Sequence, residues 1–362
     1  MQLWLPTSPE EVTASWLTKI LGYKVKAVEH TSSILKANAS KLFVTLTYDD
    51  ENVDSMKSDE KNPNINRPDK VCIKGGFNMV LIELYPKALI GGYRREAEFF
   101  SHVASDFTYI DLPRSYWAGQ NKAQGLVIMD DLRALGAEFG EPTNPWSVEL
   151  VMVGVEQLAG LHAGTWARGC SDYPWAGPEH YEELIWSLVK LWDDLILGSH
   201  RPVIPEALKD EKRMRAVLQK YFTSRNPKFQ CLVHGDAHIG NTFLIKGEPR
   251  FLDWQAVHIG SAFHDVSYFI AGSLTVEDRR EHEMRILNHY LDELNIYGGA
   301  SLSSQDEDLM VEYRKSMLAG LVWLLTPYEL QNEERVRAMI ERQATALIDH
   351  QVIELIESLP DA

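Results

Sequence analysis

The chain has 362 residues, 45% hydrophobic and 24% charged, the profile of a globular protein long enough for two lobes with a cleft between them. Its 52 acidic against 36 basic side chains give a formal net charge of −16, which excludes a nucleic-acid surface as the expectation and leans toward cationic small molecules. Cys72, Cys170 and Cys231 stand at no paired spacing, so neither a disulfide framework nor a zinc site is expected, and Met317 to Leu325, the longest apolar run, is too short to cross a bilayer. With no basic, apolar signal pattern at the N-terminus, the expectation is a cytoplasmic protein without a membrane span.

In chain order, Ser8-Pro9-Glu10-Glu11 combines an N-cap, a proline at the first helical position and a capping-box glutamate, predicting a helix through Leu17 and Ile20. Leu42 to Tyr48 alternates as a strand, and Asp49 to Asp69, rich in asparagine, proline and charge, reads as a solvated loop. Val71-Cys72-Ile73-Lys74 is a short strand closed by Gly75-Gly76. The spacing of Tyr93, Ala97, Phe100 and Val103 predicts a helix flanked by Glu96. Arg114 to Ala118 and Gly125 to Met129 fit two further strands, so the first stretch is strand-rich with one prominent helix.

From Asn144-Pro145 the pattern turns helical. Val148, Val151, Met152, Val155, Leu158, Ala159 and His162 line one face of a helix with Asn144 as its expected cap. Helical patterns return at 180–197, 206–221, after Thr275 with Asp278, at 305–325 and at 332–357. One short β segment interrupts them. Thr242-Phe243-Leu244-Ile245 and Arg250-Phe251-Leu252 flank the expected turn Lys246-Gly247-Glu248-Pro249.

That hairpin carries the chemistry. Folding it back sets Asn241 beside Asp253, twelve residues on, where two oxygen ligands suit a magnesium ion that takes its remaining ligands from phosphate and water. Asp236, five residues before Asn241, is placed to accept the proton of an incoming hydroxyl. Upstream, Lys74 at a strand end suits nucleotide phosphates, with Glu96 to hold it. Together these are the parts that phosphoryl transfer from a metal nucleotide requires.

The same residues resemble the aminoglycoside phosphotransferase and choline kinase superfamily. His234-Gly235-Asp236 with Asn241 matches its H-G-D-x-x-x-x-N loop, and Phe251-Leu252-Asp253-Trp254 matches its I-D-W strand end. Tyr93-Arg94-Arg95-Glu96 with Phe99-Phe100, Ile128-Met129-Asp130-Asp131-Leu132 and Leu158-Ala159-Gly160-Leu161-His162-Ala163 match further elements. With Tyr173-Pro174-Trp175 and Gly320-Leu321-Val322-Trp323, the chain is most similar to the ecdysteroid kinase-like branch over roughly residues 20–345.

The resemblance implies an α+β, bilobal protein kinase-like fold: a β-rich nucleotide-binding lobe over 1–131 and a mainly helical catalytic and substrate lobe over 132–362. It implies ATP and Mg2+ as cofactors and a small molecule with a hydroxyl as acceptor. Asp236 is then the base, Asn241 and Asp253 the magnesium ligands, Lys74 the phosphate contact and Glu96 its support. Met129, Asp130, Asp131 and Leu132 form the hinge that offers backbone groups to adenine, and Asp265 is a structural brace. Trp254, Tyr268 and Trp323, with Trp166, Trp175 and Tyr328, are candidates to line a lipophilic acceptor pocket. A cationic amino alcohol or aminoglycoside is the alternative acceptor.

One departure stands out: residues 28–40, where the family has a glycine-containing phosphate loop, contain no glycine. That leaves open a pseudokinase acting as a nucleotide-binding or regulatory protein. A metal-dependent phosphohydrolase built on His234, Asp236, His238, His264 and Asp265 is the other alternative, although it leaves Asn241, Asp253 and Lys74 unexplained.

Overall fold

A computed structural model describes residues 3–35, 39–49, 67–84 and 86–360. Most of the loop expected over Asp49 to Asp69 lies outside the described residues, as do residues 36–38 of the glycine-free segment. The chain divides into two compact units, Met1–Ser105 with Leu112–Ala137, and Asp106–Asp111 with Glu138–Ala362.

The first unit contains α1 (Ala14–Leu21), β1 (Val25–Ile34), β2 (Ser40–Tyr48), β3 (Lys70–Gly75), α2 (Met79–Leu84), α3 (Pro86–His102), β4 (Ser115–Gln120) and β5 (Gly125–Asp130). Its five strands form one antiparallel sheet in the order β1-β2-β3-β5-β4. Alternation sorts the side chains: Leu42, Val44, Leu46, Val71, Ile73, Leu126 and Ile128 bury one face together with Trp16 and Leu17 of α1. Each such buried aliphatic group stabilises the unit by about 1.5–3 kcal/mol. The opposite face carries Lys74, and α3, which buries Tyr93, Glu96, Ala97 and Phe100, packs against β4 and β5.

The N-terminal helix is not continuous as expected. Pro9–Glu11 forms a single 3-10 turn with the capping box of Ser8 and Glu11, and α1 starts anew at Thr13, whose side chain accepts the Trp16 N–H at 3.2 Å. The second capping residue restarts the backbone, because an N-cap needs extended φ/ψ.

The second unit contains β6 (Glu138–Phe139), α4 (Val148–Thr165), α5 (Glu179–Val189), α6 (Trp192–Leu195), α7 (Glu211–Thr223), β7 (Gln230–Val233), β8 (Thr242–Ile245), β9 (Glu248–Phe251), β10 (His258–Ser261), α8 (Ala262–Ser273), α9 (Val276–Ile296), α10 (Glu307–Ser316), α11 (Leu321–Leu324), α12 (Glu333–Asp349) and α13 (Val352–Ser358). The cap of α4 is Ser147, which accepts the Leu150 N–H at 3.3 Å, and not Asn144, which closes a turn onto Glu141 O. The expected helix over 332–357 is broken by Gln351, whose left-handed φ of 48° ends one helix and opens the next.

The hairpin turn is shorter than expected. Thr242 pairs with Phe251 and Ile245 with Glu248, so only Lys246 and Gly247 make the turn. Both take positive φ, 54° and 82°, the conformation that matches strand twist in a two-residue hairpin. Pro249 sits within β9, at the edge of the β6-β8-β9 sheet, where a missing N–H is tolerated. The framework beneath is α8, buried along its whole length and packed against α4, α9, α10 and α12. It carries both Asp265 and Tyr268.

Candidate active site

The loop from His234 to Asn241 leaves β7 under close control from α8. The Asp265 carboxylate, fully buried, accepts the His234 N–H at 2.6 Å and the Gly235 N–H at 2.9 Å. His162 of α4 donates Nε2–H to the same carboxylate at 3.1 Å, and its Nδ1 accepts from the Tyr290 hydroxyl at 2.9 Å. Burial alone would raise the Asp265 pKa, but the His162 hydrogen bond and the fields of His162, His264 and His234 hold it down to about 2.

Gly235 adopts φ of +80°, and a Cβ there would stand 2.3 Å from Ala256 O. His234 completes the loop: its Nδ1 accepts the Asp236 N–H at 3.2 Å, so Nε2 carries the proton and donates to Leu252 O at 3.1 Å. Burial lowers the pKa of this ring below its ordinary 6.5. These contacts fix the backbone of His234 and Gly235.

Asp236 stands at the end of this scaffold with 42% of its side chain exposed. Asn241 Nδ2 donates to its Oδ2 at 2.9 Å and to its carbonyl oxygen at 3.0 Å. The Tyr268 hydroxyl donates to Oδ1 at 3.1 Å, and His238 Nε2 lies 3.6 Å from Oδ2. His238 Nδ1 accepts the Gly240 N–H at 3.0 Å, which turns its Nε2–H toward the aspartate. Desolvation pushes the Asp236 pKa up, yet His238 and His234 outweigh it and the net shift is downward. Asp236 is therefore an anion at neutral pH.

Asn241 and Asp253 flank the open end of the β8–β9 hairpin, where the Leu252 N–H donates to Asn241 O at 2.9 Å. The Asn241 amide nitrogen engages Asp236, which leaves Oδ1 as the acceptor atom of that side chain. Asp253 sits at φ 68° and ψ 70°, a left-handed conformation uncommon outside glycine and typical of functional sites. An amide oxygen and a carboxylate are hard donors, and such a pair fits a magnesium ion completed by phosphate oxygens.

In the first unit, Lys74 Nζ meets Glu96 Oε1 at 2.7 Å, with only 4% and 3% of the side chains exposed. Met129 and Asp130 end β5, and Asp130 accepts the Tyr116 hydroxyl. The Asp131 N–H donates to Lys70 O at 3.3 Å, whereas the Leu132 N–H enters no hydrogen bond among the described residues.

The expected acceptor-lining aromatics divide. Trp254 is a correction: it is fully buried, packed 4.7 Å from the His234 ring, and presents no face to a substrate. Tyr268 and Trp323 do gather at Asp236, Trp323 edge-on to His238 at 5.1 Å, but both are at most 3% exposed. Tyr328 stacks on Arg201, and Trp166 packs on Cys231, Val233 and Ala262. Sequence reasoning missed Tyr268 and His238 as partners of Asp236, and His162 as the partner of Asp265. A lone histidine on the apolar face of α4 was the available signal.

Residues 197–297 match the model of the ecdysteroid kinase-like family, so the resemblance read from the sequence stands over that segment. A curated relative, an uncharacterized oxidoreductase dhs-27 of Caenorhabditis elegans, is 22% identical over 357 residues, covering 88% of this chain. The chain spans only 42% of that relative's length. Among solved structures, the amicoumacin kinase hAmiN in complex with AMP-PNP, Ca2+ and Ami aligns over 98% of this chain and 95% of its own, with a TM-score of 0.52 and 14% identity. The macrolide 2'-phosphotransferase MphH from Brachybacterium faecium aligns over 91% and 97%, with a TM-score of 0.47 and 12% identity. The fold is thus the α+β fold of small-molecule kinases. No helix among the described residues is long and apolar enough to cross a membrane.

Proposed function

We propose that this chain is an ATP- and magnesium-dependent kinase that transfers the γ-phosphoryl group to a hydroxyl of a small molecule. The observation that carries the reading is the environment of Asp236: a carboxylate kept anionic, oriented by Asn241, Tyr268 and His238, and still open to an acceptor. Such a group accepts the proton of an attacking alcohol while the backbone beneath it stays fixed. Asn241 and Asp253 are the proposed metal ligands, and the metal when bound neutralises charge on the phosphates. Lys74, its ammonium fixed by Glu96, is the proposed phosphate contact. The free Leu132 N–H supports a hinge role for Met129–Leu132 toward adenine.

The proposed acceptor is lipophilic, a reading supported by the match of residues 197–297 to the ecdysteroid kinase-like family model. The longer relative's name carries over less well. All strand pairs among the described residues are antiparallel, whereas dinucleotide-binding oxidoreductase folds rest on parallel sheets. A phosphohydrolase is also disfavoured, since no three His, Cys, Asp or Glu side chains converge as a metal site among the described residues.

A second reading, a nucleotide-binding protein without turnover, draws on the glycine-free segment, whose Thr31 is tied to Phe43 O at 3.0 Å. A coupled ADP-release screen over hydroxyl-bearing metabolites separates the two, with Asp236→Ala as the blank. Acceptor-dependent ADP release that vanishes in the variant, with nucleotide binding retained, supports the kinase. Wild-type turnover by Asp236→Ala removes Asp236 as the base.

A further inference from the structure

The nucleotide reading above is the premise here, and the residues all belong to the first unit. Strand pairing sets Ser32 opposite Phe43, Phe43 opposite Cys72, and Cys72 opposite Met129. Directly paired residues share a face, so these four side chains form one row across β1, β2, β3 and β5. Lys74, two residues after Cys72, lies on that face as well, while the aliphatic neighbours of each strand point into the core on the other side. The row leads to the Met129–Leu132 backbone, and it is the surface on which a purine held by that backbone would lie.

This surface is already covered. The Arg133 guanidinium carbon lies 3.2 Å from the centroid of the Phe43 ring, too close for a second planar group to enter between them. Asp131 grips the guanidinium from one side, Oδ1 to Nε at 3.1 Å and Oδ2 to Nη2 at 3.2 Å. Ser32 Oγ accepts from Nη1 and Nη2 on the other, each at 3.2 Å. Phe43 is consequently only 5% exposed, although the Arg133 side chain keeps 41% of its own surface in solvent. A cation over an aromatic face and a bidentate carboxylate are both attractive contacts, and both must be given up for the guanidinium to leave the ring.

We infer that Arg133 is a plug of the purine slot: a planar nucleobase reaches Phe43 only after the guanidinium has swung off the ring. An arginine serving as a phosphate ligand would instead keep its donors available, and here both edges and one face of the guanidinium are engaged within the first unit. The plug makes Arg133 a determinant of nucleotide affinity through the base, with no dependence on the number of phosphates.

The test is calorimetric binding of ATP and of adenosine to the wild-type chain, R133A, R133Q and S32A. Removing the stacked cation should tighten both ligands by the same factor, about two- to thirtyfold. S32A, which removes one of the two grips, should shift both ligands in the same direction by less. R133Q keeps the reading testable should R133A fold poorly. Unchanged or weaker binding of both ligands by the arginine variants overturns the plug while leaving the nucleotide reading standing. Weaker ATP with unchanged adenosine overturns it by making Arg133 a phosphate ligand. If neither the wild type nor the variants bind either ligand, the plug and the nucleotide reading fall together.

Discussion

Tyr268 donates its hydroxyl to Oδ1 of Asp236 at 3.1 Å from α8, the helix that also carries the Asp265 clamp. One rigid element therefore fixes the backbone that precedes Asp236, the proposed base, and one oxygen of its carboxylate. Burial first, and then the neighbouring Asp236 charge, push the Tyr268 pKa well above 10, so the phenol remains a donor across the working range. Tyr268→Phe keeps the ring and removes the hydrogen bond. Since a hydrogen bond to a charged group contributes about 1.5–3 kcal/mol and this carboxylate is partly solvated, kcat should fall about tenfold. The KM for ATP should stay within a factor of about two. Steady-state kinetics with an identified acceptor provide the check, and an unchanged kcat would show that Tyr268 does not orient the base.

Acid stability should fall in two stages. The pKa values of His234 and His264 are lowered from 6.5, chiefly by burial, so the folded state prefers their neutral forms. What they contribute is present above pH 6.5 and declines as the pH falls below it. Asp265, depressed from 3.8 to about 2, contributes fully above pH 3.8 and loses its share as the pH falls through about 2. The second loss amounts to about 2 kcal/mol. Melting temperature against pH should therefore decline below about 6.5 and again below about 4, and Asp265→Asn should make the second decline shallower, the remainder coming from other depressed carboxylates such as Asp236 and Glu283. A flat profile between pH 7 and 5 would contradict the buried neutral histidines.

The Lys74–Glu96 pair separates structure from function. Both groups are buried, so Lys74→Met takes the ammonium partner away from a buried carboxylate and should destabilise the first unit by about 3 kcal/mol, measured by chemical denaturation. Combining it with Glu96→Leu removes the buried carboxylate as well and should restore most of that stability. ATP turnover should stay lost in the double variant, because no ammonium is left for the phosphates. Recovered turnover would make the pair a structural feature alone.

How far the sequence was legible follows from distance along the chain. The hairpin and its flanking Asn241 and Asp253 lie close together, so strand alternation and turn composition revealed them, although Lys246 and Gly247 alone proved to make the turn. Lys74 and Glu96 are 22 residues apart and were paired through their order along a known pattern. The Asp265 clamp was legible only as a resemblance. Its partner His162 is 103 residues away, and Tyr290 is 128 residues from His162, separations over which no periodicity carries information. Trp254 misled for a related reason: an aromatic side chain beside a proposed ligand reads the same whether it lines a pocket or, as here, packs under His234. Element ends such as Ser147 depended on which of several polar residues adopted extended backbone, a choice made by packing around α4.

Gly235 and Gly247 offer an internal contrast, since they share a positive φ, +80° and +82°, in different surroundings. At Gly247 nothing lies within 4 Å of an added Cβ, so Gly247→Ala bears only the left-handed penalty, about 1–2 kcal/mol. The hairpin turn lies at the far end from Asn241 and Asp253, and activity should be retained. At Gly235 the added methyl would stand 2.3 Å from Ala256 O and 2.8 Å from His258 Nδ1. Neither neighbour is the loose end of a flexible chain: one is backbone, and the other is an imidazole bonded to Ala256 O at 2.9 Å. Relief therefore requires the loop to move, and that pulls the His234 and Gly235 N–H groups off Asp265 and displaces Asp236. Gly235→Ala should cost several kcal/mol, about twice the Gly247→Ala penalty or more, and should abolish turnover even at temperatures where the variant remains folded. Denaturation and ADP release measured on both variants decide the matter, and equal losses at the two glycines would mean that the loop is not clamped against Ala256.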